Sequence, residues 1–118
     1  MSKLKDFGCK CGCKKNGFSE NFFDAVYFVE EILPFKPKWT SGFRCTKHNK
    51  KVGGSPTSSH PKGVAVDGIY STPTELGFLI KAIVTVCIIK NLPLRIGIYN
   101  GRIHWDIDIT KTNPCTWR

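Results

Sequence analysis

Two short motifs in the sequence carry residue types that could bind a catalytic metal ion. They are Ser58-x-His60-x-x-Gly63-x-Ala65-x-Asp67 and His104-x-Asp106. A catalytic zinc ion needs three nitrogen or oxygen ligands and an open position, where a bound water molecule reaches a pKa of about 7. Two imidazoles and one carboxylate from these motifs could supply three such ligands.

The spacing within the first motif predicts a bend. His60 and Asp67 are seven positions apart, which is too far for adjacent helical turns or for one flat strand face. Pro61 and Gly63 favour a turn, and Val64-Ala65-Val66 is typical of a short buried strand. We therefore expect His60 on a loop and Asp67 at the end of a strand.

A hairpin is predicted around the second motif. Residues 95–99 and 102–109 flank Asn100-Gly101, and a two-residue Asn-Gly loop favours a type I′ turn. In that register, residues whose numbers sum to 201 lie opposite each other, so Gly97 faces His104. A glycine at this position indicates either room for a ligand or metal, or a bulge.

Strand alternation divides the rest of this hairpin into two faces. The polar face carries His104, Asp106 and Asp108, and Arg95 lies opposite Asp106. We expect this face to line a site, with Asp108 solvated. The opposite face is apolar and is expected to join the core; it carries Ile103, Trp105, Ile107 and Ile109.

Further motifs make the chain resemble a known family. They are Ser41-Gly42-Phe43-Arg44-Cys45, His48-Asn49, Val52-Gly53-Gly54-Ser55 and the opening Phe7-x-Cys9-x-Cys11-Gly12-Cys13. Together with the two metal motifs, they resemble the zinc D-alanyl-D-alanine carboxypeptidase-like peptidases, in particular the short, phage-associated type. The resemblance covers nearly the whole chain, and the two central motifs are its most specific part.

The resemblance implies a function and roles for five residues. Zinc would be bound by His60, Asp67 and His104, with Arg44 and Ser58 near the substrate peptide. The reaction would be hydrolysis of D-amino-acid-containing bonds in peptidoglycan stem peptides, by a carboxypeptidase or an endopeptidase. The implied fold is of the hedgehog and D-Ala-D-Ala-peptidase type.

One position departs from the family pattern. Many relatives carry a general-base Glu three residues before the last histidine ligand, where this chain has Gly101. Asp106 is the nearest alternative carboxylate, and it would either accept the proton or orient an imidazole. As the base, Asp106 would be needed for turnover but not for metal retention.

The structural alternatives for Arg44 and Ser58 are simple. Arg44 could be a solvated cation, although its planar fork suits a substrate carboxylate or carbonyl. Ser58 could merely cap the turn. Both histidine ligands must be neutral to bind metal, so we expect activity to fall below roughly pH 6.

The helix-capping and turn-forming residues of the sequence predict a single α+β domain over residues 1–118, with helices packed on a small antiparallel sheet. Ser19 begins a helix at 20–33, and Thr72-Pro73 begins a second, nearly all-apolar helix at 73–90. Residues 82–89 could alternatively form a strand. The second helix would be covered on most sides or meet a partner, and it is a poor membrane span.

Short strands are also expected near 38–40 and 64–66, and residues 47–59 form the longest predicted loop. His48 with Asn49 would begin a short helix or fix this loop.

The chain is strongly basic. Eighteen Lys and Arg against nine Asp and Glu give a net charge of +9, which attracts polyanions such as wall polymers or nucleic acid. No helix-turn-helix, finger or aromatic-basic RNA motif accompanies the charge, so no nucleic-acid partner is expected. Two other functions stay open: a catalytically inactive, zinc-stabilised wall-binding module and, less favoured, a basic nucleic-acid binder.

The cysteines leave several alternatives. Cys9, Cys11 and Cys13 are spaced too tightly for an obvious disulfide framework, and they could bind a structural metal with Cys45 or Cys115 as the fourth ligand. Disulfides are a further alternative, and reduced thiols are the default. The N-terminus shows no secretory signal, which predicts synthesis in the cytoplasm and action on the wall after release or within a phage particle.

Overall fold

The computed structural model describes residues 1–118, which form an α+β fold. The α-helices are α1 (Glu20–Ile32), α2 (Thr46–Lys51) and α3 (Pro73–Lys90). The strands are β1 (Lys38–Ser41), β2 (Ala65–Ile69), β3 (Arg95–Tyr99), β4 (Arg102–Asp106) and β5 (Cys115–Trp117), in the spatial order β1-β2-β4-β3-β5. Neighbouring strands are antiparallel except β3 and β5, which are parallel. The predicted α+β class is confirmed, and the parallel strand β5 is an unpredicted addition.

The two long helices begin where their capping residues predict. The Ser19 side chain accepts a hydrogen bond from the Phe22 N–H, and the Thr72 side chain accepts one from the Glu75 N–H. A cap of this kind satisfies an N–H that has no partner within the helix. Since α3 is continuous to Lys90, the alternative of a strand at 82–89 is wrong.

One side of α3 remains apolar and uncovered. Leu79, Ile83 and Val86 are buried against the rest of the chain, whereas the side chain of Ile88 is 74% exposed. Ile89 and Phe78 are also exposed, so the chain itself leaves part of this apolar helix uncovered, and the expected alternative that the helix meets a partner stays open. None of the helices has the length and apolarity that a membrane crossing requires.

The hairpin has the predicted register. In β3 and β4, Gly97 lies opposite His104 and Arg95 lies opposite Asp106. The strand β4 ends at Asp106, three residues earlier than predicted, and a turn follows at residues 109–110. Ile109 is consequently exposed rather than part of the core.

The middle of the sheet brings the two sequence motifs together. The strand β2 pairs with β4, with Asp67 opposite His104 and Val66 opposite Trp105. Asp67 lies in the middle of β2 rather than at its end, since β2 continues to Ile69. Opposed residues share a face, so Asp67 and His104 point to the same side of the sheet.

The opposite face of the sheet is covered by α1 and α3. Trp105 is fully buried there, and its ring meets the Phe22 ring edge to face at a centroid distance of 4.8 Å. The surrounding cluster includes Ile103, Ile96 and Val66. Burial of this apolar face stabilises the register that places the polar residues on the other face.

Gly97 leaves room for an aromatic ring rather than for a metal ion or a bulge. A Cβ atom on Gly97 would lie 2.7 Å from the ring carbon Cε2 of Trp117, the last residue of β5. Both the β3–β4 and β3–β5 pairings are regular at this position. The glycine is therefore explained by the packing of β5.

This packing predicts opposite effects for two Gly→Ala substitutions. Gly97→Ala forces Trp117 aside and should lower the free energy of unfolding by about 1–3 kcal/mol, a typical cost of overpacking. Gly77→Ala, at an exposed position inside α3 with no atom within 4 Å of the added Cβ, should raise it by about 0.5–1 kcal/mol. Urea denaturation followed by tryptophan fluorescence measures both, and a Gly97→Ala protein as stable as Gly77→Ala would contradict the assignment.

Candidate metal centre

A polar groove of about 630 Å³ lies over the open face of the central strands. All six residues singled out from the sequence as site candidates line this groove: Arg44, Ser58, His60, Asp67, His104 and Asp106.

The Asp67 carboxylate lies between the two histidine rings. Its Oδ1 is 2.9 Å from Nδ1 of His104, and its Oδ2 is 3.2 Å from Nε2 of His60. The three potential ligand atoms all lie within 4.8 Å of one another. Burial opposes ionisation of Asp67, but hydrogen bonds from His104 and His60 outweigh it and hold the pKa of this carboxyl well below its usual range.

The His60 ring is fixed by a backbone carbonyl. Its Nδ1 is 2.7 Å from the Gly42 carbonyl oxygen, which can only accept, so Nδ1 carries the proton. In the neutral ring Nε2 then has no proton: it can bind a metal ion, and in that state it donates no hydrogen bond to Asp67. His60 lies on a loop, as predicted.

The turn that holds His60 depends on Gly63. This residue has a φ of +74°, and a Cβ there would lie 1.9 Å from the Gly17 carbonyl oxygen. The Gly63 N–H donates to the His60 carbonyl, and the Gly63 carbonyl accepts from the Ser19 N–H. Only glycine permits this close approach, which seats the His60 turn on the start of α1.

The His104 ring lies between two carboxylates. Its Nε2 is 2.7 Å from Oδ2 of Asp106, and its Nδ1 faces Asp67. Burial lowers the pKa of His104, but the hydrogen bonds with Asp106 and Asp67 outweigh it and raise this pKa. If Nε2 keeps its proton towards Asp106, Nδ1 is the nitrogen left to bind a metal, an arrangement common among metal-binding histidines.

Asp106 has no oxygen free of protein contacts. Besides the contact with His104, its Oδ1 accepts from Nε of Arg95 at 2.9 Å and from the Asp108 N–H at 3.0 Å. Only 1% of the residue is exposed. The sequence pattern did not assign Arg95 to the site, although the hairpin register placed it opposite Asp106.

Arg44 is held in the groove rather than solvated. Its Nη2 donates to Oδ2 of Asp67 at 3.1 Å, its Nε donates to Ser41, and its Nη1 donates to Oδ1 of Asn49. A guanidinium has five N–H donors, so two remain for another partner. Asn49 is buried and also donates to the Ser55 carbonyl; the sequence motif contained it, but no role in the site was assigned to it.

Ser58 caps the turn before His60 and also borders the groove. Its hydroxyl accepts from the His60 N–H at 3.2 Å. The predicted loop at 47–59 is helical in its first part, since α2 spans Thr46–Lys51.

Asp108 is buried, so the expectation that it is solvated is wrong. It accepts hydrogen bonds from the Ser59 hydroxyl at 2.7 Å, from Nζ of Lys62 at 2.9 Å, and from Thr110. Burial opposes ionisation, but the bonds from Thr110, Lys62 and Ser59 hold the pKa of Asp108 well below its usual range. Because β4 ends early, this side chain turns towards the His60 loop and ties it to the end of the strand.

Trp117 forms a wall beside His104 that the sequence analysis did not predict. The two rings lie 5.6 Å apart, and the indole N–H donates to the hydroxyl of Tyr99 at 2.9 Å. The Arg95 guanidinium lies 5.0 Å from the centre of the same indole. The three residues of β5 carry no periodic signal from which this placement could be predicted.

The chain matches a family model described as Peptidase M15 over residues 3–106, which include the six site candidates Arg44, Ser58, His60, Asp67, His104 and Asp106; Asp108 and Trp117 lie beyond the match. No curated protein matches the chain.

Proposed function

Since the chain belongs to the Peptidase M15 family, we propose that it is a zinc-dependent peptidase that hydrolyses D-amino-acid-containing bonds of bacterial peptidoglycan. The observation that carries this proposal is the convergence of His60, Asp67 and His104 in an open groove. A phage or prophage origin, with action on the wall after release from the cell or within a virion, belongs to the same proposal.

The donor set fits a catalytic zinc ion. Two imidazole nitrogens and one carboxylate oxygen make three ligands, and the groove leaves the remaining side open. Structural zinc sites instead have four protein ligands. When bound, zinc polarises the scissile carbonyl and lowers the pKa of its water molecule.

The chain's own residues would prepare this chemistry. Gly42 fixes the tautomer of His60, and Arg44 donates a hydrogen bond to the Asp67 carboxylate. Arg44 would bind a substrate carboxylate or carbonyl through its two remaining N–H groups. Ser58 would border the same peptide.

The charge of the groove favours an anionic substrate. Lys10, Lys111 and Arg102 line it in addition to Arg44 and Arg95. Stem peptides carry free carboxylates, which such a surface attracts and orients. Under this proposal, the basic character of the chain would serve to attract the wall.

For Asp106, the contacts favour orientation of His104 over the role of general base. Both of its oxygens are already occupied by protein donors, and the carboxylate is almost fully buried. A general base needs an oxygen within reach of the proton that it accepts. We infer that Asp106 fixes the ring of His104, with Arg95 fixing Asp106 in turn.

An inactive wall-binding module is the second candidate function. Its support is Gly101, which occupies the position of the familiar Glu and has a φ of +76° in the hairpin turn. Such a module would keep zinc and bind peptidoglycan but would leave the bonds of the stem peptide intact.

Removal of the metal ion and substitution of a metal ligand should each abolish the activity. A chelator should stop the change in muropeptide masses that the protein causes in purified sacculi, and added zinc should restore it. His60→Ala and His104→Ala should lose zinc from this centre and fall to the chelated background, since each removes one of three ligands. Mass spectrometry of the muropeptides and elemental analysis of the protein give the two measurements.

The chain offers its third histidine as a matched control. His48→Ala should retain both the zinc of this centre and the activity. Sacculus binding without any change in muropeptide mass would support the inactive module instead. Zinc retention by both ligand variants at the wild-type level would contradict the assigned centre.

Asp106→Asn separates orientation from proton transfer. If Asp106 orients His104, the variant should bind zinc about 10–100-fold more weakly, and excess zinc should recover much of the turnover. If Asp106 is the base, zinc affinity should stay unchanged while turnover is lost at every zinc concentration. Competition with a chromophoric chelator measures the affinity, and Asp24→Asn, on the exposed side of α1, is the carboxylate-to-amide control.

A further inference from the structure

Four cysteines that the proposed reaction does not use lie together where the N-terminal segment meets the start of α2. Cys9, Cys11 and Cys13 meet Cys45, the residue before α2, and their four Sγ atoms lie within 4.8 Å of one another. All of them are free thiols. We propose that these four cysteines bind a second, structural zinc ion.

The distances suit a metal better than a disulfide. The Sγ atoms of Cys9 and Cys11 are 3.4 Å apart, and those of Cys11 and Cys45 are 3.7 Å apart. Zinc–sulfur bonds of about 2.3 Å in a tetrahedron place neighbouring sulfurs roughly 3.8 Å apart. A disulfide instead requires about 2.05 Å.

The tight Cys-x-Cys-x-Cys spacing is accommodated by a curled backbone. Gly12 and Lys14 both have left-handed backbone angles, with φ of +88° and +62°. These reversals bring three closely spaced side chains to one side of the segment. The fourth ligand then comes from elsewhere in the chain, at Cys45.

Backbone N–H groups point at three of the four sulfurs. The Cys45 N–H donates to Cys9 Sγ, the His48 N–H donates to Cys45 Sγ, and the Lys15 N–H donates to Cys13 Sγ, each at 3.4 Å. Hydrogen bonds of this kind orient metal ligands and offset the charge of a thiolate.

The surrounding charge is also complementary. Zinc with four thiolates carries a net charge of −2, and three lysines line the cavity beside the cluster: Lys15, Lys47 and Lys51. The positive charge of these lysines would thereby be offset by the negative charge of the zinc–thiolate cluster. Since all four ligands would come from the protein, no position remains open for a substrate.

The four-cysteine site would stabilise the polar groove indirectly. It ties residues 9–13 to Cys45, which directly follows the Arg44 that donates to Asp67. The Phe43 N–H also donates to the Phe7 carbonyl at 2.8 Å, so the same two segments are joined on the other side. A zinc ion would fix the backbone from which Arg44 extends.

Metal counting on the full chain tests this proposal independently of the peptidase activity. The wild-type protein, purified with zinc under reducing conditions, should hold about two equivalents, and the His60→Ala/His104→Ala double variant about one. Cys11→Ser/Cys45→Ser should also hold about one. Cys87→Ser and Cys115→Ser are the matched thiol controls and should hold two.

Cobalt substitution identifies which ligands hold the metal. A thiolate-to-cobalt charge-transfer band should persist in the histidine double variant and disappear in the cysteine double variant. Should the cysteine variant fail to fold, a mercurial thiol reagent added to the wild-type protein should release one zinc equivalent, read by a chromophoric chelator. A cobalt-loaded wild-type protein without the band, or a disulfide within the cluster of the reduced, zinc-loaded protein, would overturn the proposal.

Discussion

The carboxylate of Asp67 is the contact on which the rest of the site depends. It meets both imidazoles and the Arg44 guanidinium, which come from a loop, a strand and the segment before α2. This meeting requires β2 and β4 to pair in one register, with Asp67 opposite His104. A slip of one residue would turn Asp67 into the apolar core and Val66 into the groove, at a large cost in buried charge.

The apolar face of the sheet therefore enforces the geometry of the polar one. Trp105, Ile103 and Val66 alternate with the site residues, and α1 and α3 cover them. Loops complete the arrangement from outside the sheet. Asp108 holds the His60 loop against the end of β4, and Gly63 seats the same loop on the start of α1.

Local signals were sufficient to predict much of this structure. The helix caps, the Asn-Gly turn and strand alternation predicted α1, α3, the hairpin and its register, because each depends on residues close in sequence. The shared face of Asp67 and His104 was harder, since the β2–β4 pairing is a long-range contact. β5, the burial of Asp108, and the roles of Arg95 and Asn49 were not predicted. Each of these features depends either on where the chain turns after a strand or on a partner far away in sequence. Turns of this kind and long-range contacts leave no periodic pattern in the sequence.

The pairing of Asp67 and Asp106 with one arginine each has an electrostatic consequence. Asp67 contacts Arg44 and Asp106 contacts Arg95, so these four ionised side chains already sum to zero formal charge. With both imidazoles neutral, a dication placed among them would contribute its whole charge of +2 to the groove. Small inorganic anions would then compete for the same space, which makes phosphate and sulfate poor choices of buffer salt for kinetic work on this protein.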